Sequence, residues 1–139
     1  MVKVCVEKQI TVRMPRQFGA VERVLEALTD HGLHVHSHSS YHDHNYTVIL
    51  LIVEHCGPAL RALQAAGFSA TCTPVVAVQS EYALGVPARL GATLAHAGIA
   101  IQYSYATSVD NEQLLTVFKT IDDERALQVL ETSVAAVAA

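Results

Sequence analysis

The chain repeats its own pattern once, and this duplication limits the folds it can adopt. Shifting the sequence by 66 residues places apolar residues on apolar residues and glycines on glycines. The matched pairs are Ile10 and Val76, Val12 and Val78, Phe18-Gly19 and Leu84-Gly85, Val24 and Leu90, Leu28 and Leu94, Gly32 and Gly98, Val48 and Leu114, and Ile52 and Phe118. Because core positions and glycines coincide at one offset, we interpret the 139 residues as two domains, 1–73 and 74–139.

A repeated tetrapeptide indicates where the two copies differ. The sequence Arg-Ala-Leu-Gln occurs at 61–64 and again at 125–128, an offset of 64 residues. We therefore expect the second copy to be two residues shorter before its last helix. A period this long that occurs only twice is not the pattern of a solenoid.

Apolar periodicity predicts the elements of the first copy. Residues 8–14 alternate apolar and polar side chains, which is typical of a strand. From Arg16 the spacing becomes helical and forms one core-facing stripe, which Gly32 closes. The stripe consists of Phe18, Val21, Val24, Leu25 and Leu28. Further strands are predicted at 33–41, 46–54 and 68–73, with a second helix between Gly57 and Gly67.

The second copy, joined to the first near Pro74, predicts the same order of elements. Strands are expected at 75–79, 99–106 and 113–120, helices at 86–97 and 123–131, a turn at Asp110 and Asn111, and a short final strand from Thr132. The order βαββαβ is that of the split-βαβ, ferredoxin-like plan. The predicted fold class is therefore α+β, with two ferredoxin-like units, each an antiparallel sheet that carries both helices on one face.

Composition excludes several classes of protein. Hydrophobic residues make up 51% of the chain and charged residues 16%, which is a globular composition. The net charge is −4 and the basic residues are scattered, so nucleic acid is not an expected partner. The longest strongly apolar run, 48–53, is far shorter than the roughly 20 residues of a membrane span. The start lacks a secretory signal and the three cysteines form no CxxC pair, so we expect a cytoplasmic protein without a membrane partner.

The strand-to-helix segments carry a family resemblance. Residues 84–99 read LGVPARLGATLAHAGI and residues 18–33 read FGAVERVLEALTDHGL. Both resemble the ACT-domain pattern PGxLxxVxxxLxxxGI, although Phe18 and Leu84 replace the leading proline. The chain as a whole is similar to small stand-alone tandem ACT proteins. The resemblance implies a non-catalytic regulatory module that binds a small ligand, an amino acid, and that forms a homodimer.

The same resemblance implies where a ligand would bind. In this family the site lies where a strand-to-helix loop faces a neighbouring domain. Free N–H groups and a partial positive charge at a helix start suit a carboxylate, and a glycine lets the ligand approach the backbone. The expected ligand-binding residues are Phe18, Gly19, Ala20, Leu84, Gly85 and Val86. Alternatively, the two glycines serve only to form a tight turn.

Neither catalysis nor a resident cofactor is expected. The sequence contains no GxSxG nucleophile motif and no GK[ST] phosphate loop. Its aspartates at Asp43, Asp110, Asp122 and Asp123 fall at turns and helix starts, where capping accounts for them. We therefore predict that the protein is not an enzyme.

A histidine cluster offers a second functional hypothesis. Six of the eight histidines lie between His31 and His44, and those at 34, 36 and 38 are expected on one strand face. Neighbouring imidazoles roughly 6.6–6.8 Å apart can converge on one ion. The predicted ligands of a divalent transition metal are His36, His38, His42 and His44. Since the second copy has Ala100, Gln102 and Ser104 at the matching positions, the fold itself does not require the cluster.

Three functions remain open at this point. The cluster resembles the HxH strand of the ACT-like domain in nickel-responsive ribbon-helix-helix repressors, but their following cysteine is missing. A metal sensor or carrier that uses the His34–His44 segment is therefore the alternative to amino-acid binding. A solvated polar face on a pure interaction module is the third reading.

Overall fold

The computed structural model describes residues 2–109 and 112–138. In chain order the elements are β1 Lys3–Pro15, α1 Ala20–Thr29, β2 Val35–Asp43, β3 Tyr46–Val53, α2 Cys56–Ala65, β4 Ala70–Glu81, α3 Val86–His96, β5 Ile101–Val109, β6 Gln113–Thr120 and α4 Asp123–Ala138. The predicted turn at Asp110 and Asn111 lies outside the described residues. The predicted order of strands and helices is otherwise observed up to the last helix.

The strands form one antiparallel sheet in the order β2-β3-β1-β4-β6-β5. The chain divides into two compact units, one of residues 8–73 and one of residues 1–7 with 74–139. The long strands β1 and β4 therefore contribute to both units. Residues 1–7, which the sequence pattern places in the first domain, group with the second.

The unit of residues 8–73 buries its core between one sheet face and two helices. Ile10 and Val12 of β1 pair with Leu51 and Ile49 of β3, so all four side chains project from the same face. Both helices cover this face with fully buried side chains, namely Val24, Leu28, Ala59 and Leu63. The unit therefore has the predicted ferredoxin-like arrangement, with α1 and α2 on one side of the sheet.

The unit of residues 1–7 and 74–139 repeats this arrangement with a different source of its fourth strand. Val76 and Val78 of β4 pack with Leu94 of α3 and Leu130 of α4, and Val4 of β1 packs against the same core. The predicted final strand from Thr132 is wrong, because α4 continues through Asp123–Ala138. The first part of β1 supplies a strand to this unit, so the tail is not needed as one.

The register of the two halves corrects the second part of the sequence repeat. Val35 pairs with Val53, and its counterpart Ile101 pairs with Thr120, which is one position later than an offset of 66 requires. The connection between β5 and β6 is accordingly one residue longer than that between β2 and β3. The matches of Val48 with Leu114 and of Ile52 with Phe118 are therefore wrong.

The repeated tetrapeptide is also misleading. The buried residues Ala59 and Leu63 of α2 correspond to Ala126 and Leu130 of α4, and the two Arg-Ala-Leu-Gln segments occupy different turns of their helices. The second copy is therefore not shorter before its last helix. Helical burial repeats at the spacing of four residues, which a short coincidence of letters does not preserve.

Two further local expectations need correction. Phe18 was expected in the core-facing stripe, but α1 begins at Ala20 and the Phe18 side chain is fully exposed. The strands expected on either side of Pro74 are one continuous strand, β4. A proline lacks an N–H group and is tolerated in a strand where the ladder does not need one.

No helix in the described part of the chain combines the length and the apolar character that a membrane crossing requires.

Candidate functional site

The two strand-to-helix loops use glycine for a backbone reason. Gly19 before α1 has φ 75° and ψ 15°, and Gly85 before α3 has φ 82° and ψ 0°. Both lie in the left-handed region, where a β-carbon introduces strain and glycine does not. A tight turn therefore accounts for the glycine at both loops. Access for a ligand depends on the other residues around each loop.

The two helix starts differ in charge. The first turn of α1 carries Glu22, whose carboxylate meets the partial positive charge of its own helix. The first turn of α3, Val86 to Arg89, contains no acidic residue. A β-carbon added to Gly85 would meet no atom within 4 Å, so this loop is open on that side. The first turn of α3 therefore has no carboxylate of its own, whereas the first turn of α1 has one.

The predicted ligand-binding residues do not form one cluster within either loop. Phe18 and Leu84 are fully exposed at the loop tips, whereas Ala20 is buried in the core of the 8–73 unit. Val86 is partly buried and packs against the core of the other unit. Val86 also lines a cavity.

This cavity has a volume of about 810 Å³ and lies within the unit of residues 1–7 and 74–139. Its walls come from Val2 just before β1, the end of β4, the loop after it, one face of α3 and the second half of α4. The lining residues are Val2, Val78, Ser80, Glu81, Ala83, Val86, Arg89, Leu90, Ala92, Thr93, His96, Ser133 and Val134. The volume falls within the range of small-molecule sites, and a mostly apolar lining with a few polar groups is typical of them.

Buried hydroxyl groups lie on the sheet face beneath this cavity. Among the described residues, Ser80 Oγ and Thr116 Oγ1 are buried side-chain oxygens that have no hydrogen-bond partner in the protein. Ser80 lines the cavity, and Thr116 pairs across strands with Val78, which also lines it. An unsatisfied buried hydroxyl costs about 1–3 kcal/mol, so a polar group bound here would recover part of that cost.

Arg89 supplies the cationic group of the cavity wall. Its counterpart in the first half, Arg23, stacks over the ring of Phe68 at 5.5 Å. Arg89 itself lines the cavity, so its guanidinium can reach an anionic ligand bound there. The equivalent arginines therefore have different roles in the two halves.

Sequence analysis missed most of this site, although a signal was present. Arg89, Thr93 and His96 stand at helical spacings of four and three residues and all line the cavity. These polar residues form a stripe on α3 next to the apolar stripe of Leu90 and Leu94. The pattern indicates that the helix makes contacts through a second face besides its core face. The contribution of Ser133 and Val134 depends on α4, whose C-terminal part was expected to be a strand.

The histidines are spread along an edge strand. His38 pairs with Leu51 and His42 with Thr47, so both point toward the helix-bearing face. They are four residues apart, which is about 13 Å along a strand. The register shifts between Val35 and Ser37, which makes His36 the extra residue of a β-bulge and interrupts the expected alternation.

Two of the predicted metal ligands, His42 and His44, have local partners. His42 Nδ1 lies 3.3 Å from Thr47 Oγ1. His44 adopts a positive φ of 55° in the turn, and its Nδ1 lies 2.8 Å from Asp43 Oδ1. Within the described part of the chain, no group of three or more His, Cys, Asp or Glu side chains is placed to hold one metal ion. The structure thus does not bring His36, His38, His42 and His44 together.

Comparisons with solved structures support the fold. A protein from Bacteroides thetaiotaomicron, BT0572, is 21% identical, with 94% of this chain and 90% of that chain covered and a TM-score of 0.84. The ligand-free regulatory subunit of aspartate kinase from Thermus thermophilus is 20% identical, with 95% and 96% covered and a TM-score of 0.69. The corresponding subunit from Thermus flavus is 21% identical, with 94% and 95% covered and a TM-score of 0.65.

No curated protein matches the chain in sequence. The family described as "ACT domain pair" matches residues 5–138, which is nearly the whole length. The match includes both strand-to-helix segments, at Gly19 and at Gly85, on which the sequence resemblance rests. Fold, repeat and family match agree, and the chain belongs to the family of ACT domain pairs.

Proposed function

We propose that this protein is a non-catalytic regulatory module that binds a small ligand, an amino acid, in the cavity beside the loop between β4 and α3. One observation carries the proposal: a cavity with an arginine in its wall lies over two buried hydroxyls that have no hydrogen-bond partner among the described residues. Two structural neighbours, the aspartate kinase subunits from Thermus, are themselves described as regulatory. Membership in the ACT domain pairs supports the same role.

The cavity offers complementary groups to an amino acid. The Arg89 guanidinium can pair with the ligand carboxylate through two parallel hydrogen bonds, and the start of α3 adds a favourable dipole. Thr93 and Ser80 offer hydroxyls to the ligand. Val78, Leu90 and Val134 form an apolar wall for the ligand side chain. The volume leaves room for ordered water beside a single amino acid.

The residues at the two helix starts differ, and for this reason we propose that the ligand binds at α3 and not at α1. Glu22 already places a carboxylate in the first turn of α1, where it would repel an anionic ligand. Arg23 is engaged with the Phe68 ring, whereas its counterpart Arg89 faces the cavity. Phe18, Gly19 and Ala20 are thus the weaker half of the predicted ligand set, and Leu84, Gly85 and Val86 are the stronger half.

Isothermal titration calorimetry of the common amino acids against the full chain tests this function. Arg89→Gln should weaken the best ligand at least about tenfold, because a charge-assisted hydrogen bond contributes about 1.5–3 kcal/mol. Ala88→Glu should weaken it as well, because it places a carboxylate where α1 has Glu22. The matched control is Arg23→Gln, which should leave the affinity unchanged.

Two outcomes would contradict the proposal. If no amino acid binds the folded protein in calorimetry or raises its melting temperature, amino-acid binding is wrong. If a ligand binds and Arg89→Gln and Arg23→Gln affect it equally, the ligand lies elsewhere. Thr116→Val gives an independent check, since it should weaken the ligand while leaving the ligand-free protein as stable as before or more stable.

We also propose that the chain acts as a homodimer. Strands β2 and β5 are the terminal strands of the sheet. Terminal strands present unpaired backbone N–H and C=O groups, which a second copy can cover. Light scattering coupled to size-exclusion chromatography measures the mass directly, and a concentration-independent monomer mass would exclude this assembly.

A further inference from the structure

Two cysteines that are distant in sequence meet within the unit of residues 8–73. Cys56 is the first residue of α2 and Cys72 lies on β4. Their sulfur atoms are 3.3 Å apart, although 16 residues separate them in the chain. A disulfide bond is about 2.05 Å long, so a side-chain adjustment of about 1 Å would join them. Sequence spacing alone, which showed no CxxC pair, gave no indication of this contact.

We infer that Cys56 and Cys72 form a reversible dithiol–disulfide pair that small disulfides oxidise. This pair is a modification site separate from the cavity, which belongs to the other unit. The matching position in the second half is Asp123, the first residue of α4. The fold therefore does not require a cysteine at the start of this helix.

The exposure of the two sulfurs sets the order of steps. Cys72 is exposed and Cys56 is partly buried, so an incoming disulfide reaches Cys72 first. Burial, together with the neighbouring Cys72 thiol, raises the pKa of Cys56 to about 11. Cys56 is therefore held as a thiol until a mixed disulfide forms beside it. The attacking species in such an exchange is the thiolate.

The exchange balances in two steps. The Cys72 thiolate attacks one sulfur of the small disulfide, forms a mixed disulfide and releases one small thiolate. Cys56 then gives its proton to solvent, attacks Cys72 Sγ and releases the second small thiolate. Two cysteine S–H bonds are replaced by one Cys56–Cys72 bond, and the small disulfide is reduced to two thiols.

The bond would join the first turn of α2 to β4 and close a loop of 16 residues. Such a link restricts the unfolded chain and is expected to raise the melting temperature by about 10 °C. Oxidation would therefore stabilise the 8–73 unit. Added thiol should reverse the change completely.

The test treats the full-length reduced protein with oxidised glutathione, blocks the remaining thiols with an alkylating agent and measures the intact mass. We expect a monomer lighter by two hydrogens that carries one alkyl group, with peptide mapping placing that group on Cys5. The Cys5→Ser control should form the same bond. Cys56→Ser should instead retain a glutathione adduct on the exposed Cys72, whereas Cys72→Ser should stay largely unmodified at the partly buried Cys56.

The wild-type protein alone can overturn the inference, even if a variant fails to fold. Stable glutathione adducts without the internal bond, or a bond that includes Cys5, would reject it. The rate of closure is then compared in buffer and in urea. We expect closure to be at least about tenfold faster in the folded chain, since the fold holds the sulfurs together. Equal rates would show that the fold does not hold the pair together.

Discussion

Asp123 joins three neighbouring groups at the start of α4, so its replacement should destabilise the protein strongly. Its Oδ1 accepts hydrogen bonds from the backbone N–H of Thr120 at 3.1 Å and from the Thr120 hydroxyl at 2.8 Å. Its Oδ2 accepts one from Lys119 Nζ at 2.6 Å. The side chains of Lys119 and Asp123 are 19% and 17% exposed, so water can replace little of this pairing. We therefore expect more from this ion pair than from a surface pair.

The magnitude follows from these contacts. Removing one partner of a buried pair costs about 3–5 kcal/mol. Lys119 would keep a hydrogen bond to the Pro74 carbonyl oxygen at 3.2 Å, which favours the lower end of that range. Asp123→Ala should thus cost about 3 kcal/mol. With a urea dependence of about 2 kcal/mol per molar, the unfolding midpoint should fall by about 1.5 M.

The neighbouring Asp122→Ala is the matched control. Asp122 Oδ1 accepts a hydrogen bond from the Arg125 backbone N–H at 3.1 Å, which is the role of a helix N-cap. Its loss should cost about 1 kcal/mol. If urea unfolding shows equal losses for Asp122→Ala and Asp123→Ala, the reasoning from the buried pair is refuted.

The pH dependence gives a second measurement on the same residue. Burial by itself raises the pKa of the Asp123 carboxyl, but hydrogen bonds from Lys119 and Thr120 and the Lys119 charge outweigh it and hold the pKa below its usual value. The stabilisation is therefore fully present above the pKa of the unfolded chain, about 3.9, and is lost as pH falls through the lower folded-state pKa. The difference in stability between wild type and Asp123→Asn should shrink below about pH 4.

Three further outcomes are expected. Gly91→Ala, in the interior of α3 with open space around it, should stabilise the protein by about 0.5–1 kcal/mol in urea unfolding, whereas Gly85→Ala should destabilise it because φ is 82°. Leu63→Ala should cost about 2–5 kcal/mol, since Leu63 is fully buried, and a smaller loss would place it outside the core. Equilibrium dialysis against Zn²⁺ and Ni²⁺ at pH 7.5 should detect at most weak binding, because within the described residues no group of three or more possible ligands is placed to hold one ion. Equal binding after four changes to Ala would reject the metal hypothesis for His36, His38, His42 and His44.

Much of the fold could be predicted because it is encoded in local periodicity. Val24 with Leu28 and Leu90 with Leu94 are helical pairs whose spacing directs both members to a core, and all four are buried. Strand periodicity likewise identified the face of β1 that carries Ile10 and Val12. These patterns extend over a few residues and need no knowledge of distant partners. The glycines before α1 and α3 were also readable, because a left-handed turn selects glycine for its own backbone.

The candidate site was only partly readable for the opposite reason. Val86 was predicted from the family pattern, but the cavity also needs α4 and Ser80 of β4, which come from separate segments. The one-residue shift between β3 and β6 reverses which side chains face the core, and only strand pairing reveals it. Cys56 and Cys72 meet in the same way, across 16 residues. The sequence by itself determined the period of most elements and the order βαββα in both halves. The fourth strand of the second unit, the cavity and the cysteine contact were decided by the tertiary structure, because each depends on segments that local spacing does not relate.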